Sequence, residues 1–244
     1  DDAGICRTKS DGRVVRGCLP VHTFGHPVDL DGLLAVCHRW NLVLIEDAAE
    51  SLGSFYKGRH TGTFGALGTL SFNGNKIITT GGGGMILSGE ALGVRAKHLT
   101  TTAKKPHPYE YAHDEVGYNY RLPNLNAALG CAQLEQLESF IAQKRALASR
   151  YAVQLKGSDL NFFSEPADCR SNYWLNAVLC ENLQHRDALL KVTNDNGVMT
   201  RPAWALMNHL PMYSNCRCGQ LTNAEWLEAR IVNLPSSIAL EDRK

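Results

Sequence analysis

Residues 41–45, Asn-Leu-Val-Leu-Ile, make a short apolar run that stops at Glu46-Asp47-Ala48-Ala49-Glu50. A run of this length and composition reads as a buried strand. Val14–Val21 reads as a strand before it, and Asp29 caps an intervening helix that carries Leu30, Leu33, Leu34 and Cys37 on one face. Leu67–Phe72 and Gly84–Leu87 are further short strands. Apolar strands alternating with helices imply an α/β fold with a mostly parallel sheet and crossover connections. An acid at the carboxyl end of a strand in such a sheet lies where open α/β folds bind ligands. Asp47 alone also suits a helix N-cap, with Ala48 and Ala49 opening the helix, and both readings stand on the local sequence.

Farther along, Gly89–Thr102 reads as a helix and Lys104–Tyr120 as a long loop. From Asn124 an extended helix carries Leu125, Leu129, Leu134, Leu137, Ile141 and Leu147 to about Leu155, long enough to bridge two domains. Residues 171–181 alternate like a strand, and Arg186–Asp195 form a helix ended by Asn196-Gly197. The expected organisation is a large domain over 1–135 and a smaller α+β domain over 136–244 that includes the linking helix.

The stretch with the most chemistry is Leu70-Ser71-Phe72-Asn73-Gly74-Asn75-Lys76, followed by Gly81–Gly84. An amine, a hydroxyl and turn amides lie within a few residues, the set needed to hold a phosphate-bearing aldehyde covalently. A lone Gly-rich segment is weak evidence, and a surface lysine beside a glycine turn is the plain alternative. Asp47 changes the balance, since a carboxylate facing a pyridine nitrogen keeps it protonated, as pyridoxal phosphate chemistry requires.

Pro20-Val21-His22-Thr23-Phe24-Gly25-His26, Glu46–Glu50, Ser71 with Lys76, and Gly117-Tyr118-Asn119-Tyr120-Arg121-Leu122-Pro123 occur in one order. Together they resemble the DegT/DnrJ/EryC1/StrS nucleotide-sugar aminotransferases, fold-type I pyridoxal phosphate enzymes. Ser71–Met85 with His98-Leu99-Thr100-Thr101-Thr102 resembles the branch that makes 4-amino sugars for bacillosamine and legionaminic acid. The resemblance covers nearly the whole chain.

It implies roles position by position. Lys76 matches the lysine that bonds to the cofactor and moves the proton, Asp47 the partner of the pyridine nitrogen, and Ser71 the phosphate-binding hydroxyl. Asn119 matches an asparagine that reaches the phosphate held by the neighbouring subunit, which makes a homodimer with shared sites obligatory. Glu50 stands where many relatives have Gln; a carboxylate donates a hydrogen bond only when protonated, so Glu50 either has a raised pKa or faces elsewhere. His22, His26, His113, Tyr118, Tyr120 and Arg121 fall in segments the family places near the site and are substrate-side candidates. Arg201, in Arg201-Pro202-Ala203-Trp204, suits a nucleotide or carboxylate through its guanidinium fork, or packing between domains. The resemblance also implies that the chain begins after the family's phosphate-binding helix and ring-stacking aromatic, as a fragment with an incomplete large domain.

Composition agrees with this class. Twenty-five basic and 24 acidic residues leave a net charge of +1, which gives no case for a nucleic-acid partner or an anionic membrane surface. No apolar run approaches bilayer-spanning length, and Asp1-Asp2-Ala3-Gly4 does not read as a signal peptide. Eight scattered cysteines, with only Cys216 and Cys218 close together, fall short of a zinc pattern and favour a reduced, cytoplasmic setting. The expected function is transfer of an amino group, from an amino acid such as glutamate, to a UDP-linked 4-keto-6-deoxy sugar. A sugar dehydratase of the same fold is an alternative, although dehydratases resembling this family carry His at the position of Lys76. A non-catalytic module that binds a phosphate ligand is another.

Overall fold

The computed structural model describes residues 4–238. Contacts divide the chain into two compact units, Asp1–Ile141 with Glu165–Trp174, and Ala142–Ser164 with Leu175–Lys244. The organisation expected from sequence, 1–135 and 136–244, is contiguous; here a ten-residue piece of the second half belongs with the first unit.

The first unit is built on a four-stranded sheet that follows chain order, β1 (Gly17–Cys18), β2 (Val43–Asp47), β3 (Leu67–Ser71) and β4 (Gly84–Ser88). β1, β2 and β3 run parallel, with Gly17 opposite Val43 and Asp47 opposite Thr69, while β4 returns antiparallel to β3. Helix α1 (Leu30–Trp40) makes the crossover into β2. The Asp29 carboxylate accepts from the Gly32 amide at 3.0 Å at its start, and Asn41 ends it in the left-handed region at φ 53°. Leu30 and Cys37 pack from α1 onto Leu44 and Tyr56. Full burial of a leucine is worth about 2 kcal/mol, against about 1 kcal/mol for a cap. Packing therefore places the helix, and the cap sets where it begins.

Side chains alternate across β2, so Leu44 and Glu46 share the face that is buried, and Val43, Ile45 and Asp47 share the other. Two adjacent acids thus point to opposite sides of the sheet. Gly68 in β3 allows the closest approach in this region, because a Cβ there would run into the backbone of Gly62.

Helices α2 (Glu90–Thr100), α3 (Asn124–Leu134) and α4 (Leu137–Gln154) follow. In the second unit, strands β5 (Asn176–Leu179) and β6 (Ile231–Leu234) pair antiparallel, flanked by Asn161–Phe162 and Arg201–Pro202. Helix α5 (Leu183–Asp195) covers a core of Val178, Cys180 and Val232 through Leu189 and Leu190.

Several elements differ from the sequence reading. The strand expected over Val14–Val21 is regular only at Gly17–Cys18, because Pro20 has no N–H; pairing resumes at the single bridge between Val21 and Asp47. The long helix from Asn124 breaks at Glu135–Gln136, where the Gln136 amide bonds to the carbonyl of Gln133 instead of that of Ala132, one residue farther back. The Lys104–Tyr120 loop contains a small hairpin, Lys104–Lys105 against Ala112–His113. The strand expected over 171–181 is confined to β5, with 171–174 drawn into the first unit by side-chain hydrogen bonds. Helix α5 starts before Arg186, because the Asn182 side chain accepts from the His185 amide at 2.9 Å.

Candidate active site

Glu46 is the buried acid next to Asp47 in β2. Its carboxylate is fully buried and accepts from four donors: the amides of Gly62 (2.7 Å), Phe64 (2.6 Å) and Gly65 (2.8 Å), and His22 Nε2 (3.1 Å). On its other side the His22 ring accepts from the Val28 amide at Nδ1, 3.2 Å, which fixes the tautomer with the proton on Nε2. Burial alone would raise the Glu46 carboxyl, but His22 and the three amides outweigh it and the group lies below the usual carboxylate range. His22, a substrate-side candidate in the sequence, is thus sealed inside the fold as part of this anchor.

Asp47, on the opposite face, ends β2 beside β3. Its side chain accepts from the Ala49 amide at 3.0 Å, and the turn that follows does not open a helix. Glu50 sits in that turn and accepts from the Phe24 amide at 2.8 Å. Its other oxygen lies 3.7 Å from Lys76 Nζ, with the two side chains 13% and 14% exposed. Burial pushes the Glu50 carboxyl up and Asp47 adds to it, against the Phe24 amide and the Lys76 charge. Of the two options left by the sequence, Glu50 therefore has the raised pKa, and it faces the lysine.

Lys76 lies in the turn after β3, with its amide bonded to the carbonyl of Asn73. Ser71, the last residue of β3, accepts weakly from the Asn73 amide at 3.4 Å. Over the Lys76 amine stands the ring of Trp174, 3.9 Å from Nζ to the ring centroid. No local pattern around Trp174 places it here.

The ten residues that return to the first unit are held by buried polar side chains. Ser171 Oγ and Ser54 Oγ both donate to the carbonyl of Gly25, at 2.9 and 2.7 Å. Asn172 donates to the carbonyls of Glu50 (2.8 Å) and Leu52 (2.9 Å). Gly25 has φ 91°, and a Cβ there would collide with the Asn172 side chain. His26 is buried against the edge of Tyr173, with ring centroids 5.1 Å apart; burial, opposed by Glu165, lowers its pKa to about 4, so the ring is neutral at pH 7.

The remaining candidates lie elsewhere. Gly117–Arg121 runs along the C-terminal end of α2, where the Tyr118 amide donates to the Leu99 carbonyl at 2.7 Å and Thr101 bridges to Asn119. Asn119, Tyr118, Tyr120 and Arg121 are exposed, the two tyrosine rings stack at 5.2 Å, and Arg121 donates to the Thr101 carbonyl. His113 is exposed and bonds to the Thr102 carbonyl. Arg201 belongs to the second unit, where it donates to the Asn194 side chain and the Thr200 carbonyl. A groove of about 1070 Å³ is lined by Thr69, Leu70, Gly83, Lys97, Tyr120 and Arg121 among others, but by none of Asp47, Glu50, Ser71 and Lys76. Its size does not make it the reactive centre. His98, Asp114 and Glu115 cluster within 4.8 Å, but Arg95 and Lys105 already engage the two carboxylates.

Residues 8–244 match the sequence profile described as the DegT/DnrJ/EryC1/StrS aminotransferase family. The chain belongs to this family. A GDP-perosamine synthase of Escherichia coli O157:H7 is 39% identical over 225 residues, covering 92% of this chain and 61% of that protein. A putative pyridoxal phosphate-dependent aminotransferase, EpsN of Bacillus subtilis (strain 168), is 38% identical over 208 residues, covering 84% and 53%. Among solved structures, the aminotransferase TlmJ from Streptoalloteichus hindustanus superposes with a TM-score of 0.88 at 29% identity, over 96% of this chain and 64% of that one. The chain spans 61% and 53% of the lengths of these two named relatives. The family and the fold-type I α/β architecture expected from the motifs are both found. No helix among the described residues is long and apolar enough to cross a membrane.

Proposed function

We propose that this chain carries the reactive centre of a pyridoxal phosphate-dependent aminotransferase that moves an amino group from an amino acid, glutamate foremost, to a keto carbon of a nucleotide-linked sugar. The observation that carries the reading is the Lys76 amine, mostly buried and held 3.7 Å from a carboxylate in the turn after β3. Family membership supports the reaction class, and the name of the Escherichia coli relative supports a sugar nucleotide as substrate.

The donor set fits the cofactor: a primary amine, a carboxylate at the end of an adjacent parallel strand and a hydroxyl at the end of β3, all in one unit. When bound, pyridoxal phosphate supplies an aldehyde and a protonated ring that accepts electron density from the reacting carbon. Lys76 Nζ would be the nucleophile that bonds the group and the base that takes up and returns the proton of the reacting carbon. Asp47 would hold the proton on the ring nitrogen, and Ser71 Oγ would bind the phosphate. Glu50, its carboxyl pushed up by burial, would donate a hydrogen bond as the amide of Gln does only in its protonated form. Asn119, exposed on the strip beside α2, serves the phosphate held by a second subunit, and the protein works as a homodimer.

The sugar is a 4-keto-6-deoxy sugar. The resemblance of Ser71–Met85 with His98–Thr102 to the bacillosamine and legionaminic acid branch favours UDP as its carrier, whereas the Escherichia coli relative has GDP in its name. Incubating the protein with pyridoxal phosphate, glutamate and either the UDP- or the GDP-linked keto sugar, with products read by mass spectrometry, tests both points. Gain of an amino group supports the reading and names the nucleotide. A sugar that loses its C3 hydroxyl without gaining nitrogen contradicts it in favour of dehydration.

A further inference from the structure

Lysine has four rotatable side-chain bonds, so an amine that must meet an incoming carbonyl needs more than its own backbone to fix it. In this chain two groups flank Lys76 Nζ, the Glu50 carboxylate at 3.7 Å and the face of the Trp174 ring at 3.9 Å from its centroid, well inside the reach of about 6 Å for a cation over an aromatic ring. The ring is 3% exposed, and its indole N–H donates to the carbonyl of Asn75 at 2.6 Å, so it is tied to the residue just before the lysine. The Trp174 amide in turn donates to Asn172 Oδ1 at 2.8 Å, while Asn172 Nδ2 donates to the carbonyls of Glu50 and Leu52. One short segment therefore holds both neighbours of the amine. Tyr173, between the two, has φ 48°, a left-handed conformation costly for an aromatic residue and kept only where its surroundings impose it.

We propose that Trp174 is a positioning residue for Lys76: its ring face, with the Glu50 carboxylate, fixes the amine nitrogen at the point where an aldehyde is captured. The inference rests on Lys76 being the cofactor-bonding amine, and the experiment separates the two claims. The full chain and its Trp174→Ala and Trp174→Phe variants are mixed with pyridoxal phosphate, and capture is followed by visible absorbance. Lys76 Nζ adds to the aldehyde carbon and water leaves. Borohydride then delivers hydride to the carbon of the C=N bond, the nitrogen takes a proton from solvent, and the resulting secondary amine is quantified at Lys76 by peptide mass spectrometry. Capture in Trp174→Ala should be about fivefold slower, and Trp174→Phe, which keeps a ring face but lacks the indole N–H, should stay within about twofold of the parent. Parent-like capture by Trp174→Ala overturns the proposal. So does a Trp174→Phe variant as slow as Trp174→Ala, because the tether to Asn75 and not the ring face would then be responsible.

If the parent chain captures no pyridoxal phosphate, the functional reading fails and the positioning claim is still decided. Acetylation by N-hydroxysuccinimidyl acetate reports the freedom of the amine, with exposed Lys57 and Lys191 as references. Relative labelling of Lys76 should rise about fivefold in Trp174→Ala and stay low in Trp174→Phe. Equal ratios in all three proteins overturn the proposal. An unchanged far-UV circular dichroism spectrum marks an intact fold; if it changes in Trp174→Ala, Trp174→Met, which keeps bulk without a ring, replaces that variant.

Discussion

Replacing Glu46 by Gln keeps the shape of the anchor and removes its charge. In the parent, one carboxylate oxygen accepts from Phe64 and Gly65 and the other from Gly62 and His22. An amide has only one acceptor oxygen, so its NH2 must face either two backbone N–H groups or Gly62 and His22. The histidine cannot accommodate by moving its proton, because Nδ1 already accepts from the Val28 amide. Two bonds to a charged acceptor are lost inside the fold, at about 1.5–3 kcal/mol each, or roughly 3–6 kcal/mol in all. A domain of this size loses about 2–4 °C of melting temperature per kcal/mol, so the shift should be roughly 10–20 °C. Thermal unfolding followed by far-UV circular dichroism reads it directly. The same group predicts the sign of an acid effect: its folded pKa is depressed, so its contribution is complete above the ordinary carboxylate range and is lost as pH falls. A shift under about 3 °C for Glu46→Gln would refute the view that four donors converge on one ionised acid.

His26 makes a second acid-side prediction. With its pKa lowered from 6.5 to about 4, the protein should lose stability as pH falls through that window, approaching roughly 3 kcal/mol at the acid end. His26→Phe should remove that part of the loss when unfolding free energies at pH 7 and pH 4.5 are compared; equal losses in the two proteins would contradict it. Gly68→Ala should cost about 3 kcal/mol, since the neighbour its Cβ meets is backbone and cannot swing away; an unchanged urea midpoint would count against it. Asp47→Asn should lower turnover by at least about 100-fold while the melting temperature barely moves. Activity that merely tracked stability would make Asp47 a turn-former.

Where the determinants were local, the sequence was sufficient. Asp29 and the apolar face of α1 are read from residues within a turn or two of one another, and α1 forms where expected; the strand expected over 41–45 forms over Val43–Asp47, two residues later, and so takes in Glu46 and Asp47. The failures involve long range or one missing atom. Pro20 shortens the first strand through its absent N–H, and no helical periodicity announces the break at Gln136. Glu46 was legible in principle: two positions after Leu44 on the same strand face, it had to be buried and so had to find donors. His22, judged by its neighbours in the motif, looked like a site residue, and only the partner 24 positions away makes it structural. Trp174 carried no signal at all, because its bonding partner Asn75 lies 99 positions earlier in the chain.

Lys76 is proposed as the amine that bonds the cofactor. Treating the protein with pyridoxal phosphate, reducing with borohydride and mapping the modified peptide tests it most directly. A phosphopyridoxyl group is expected on Lys76 at low cofactor excess, absent from Lys76→Ala, with exposed Lys57, Lys105 and Lys191 modified only at high excess. Modification spread over the exposed lysines, with Lys76 unlabelled, would contradict it.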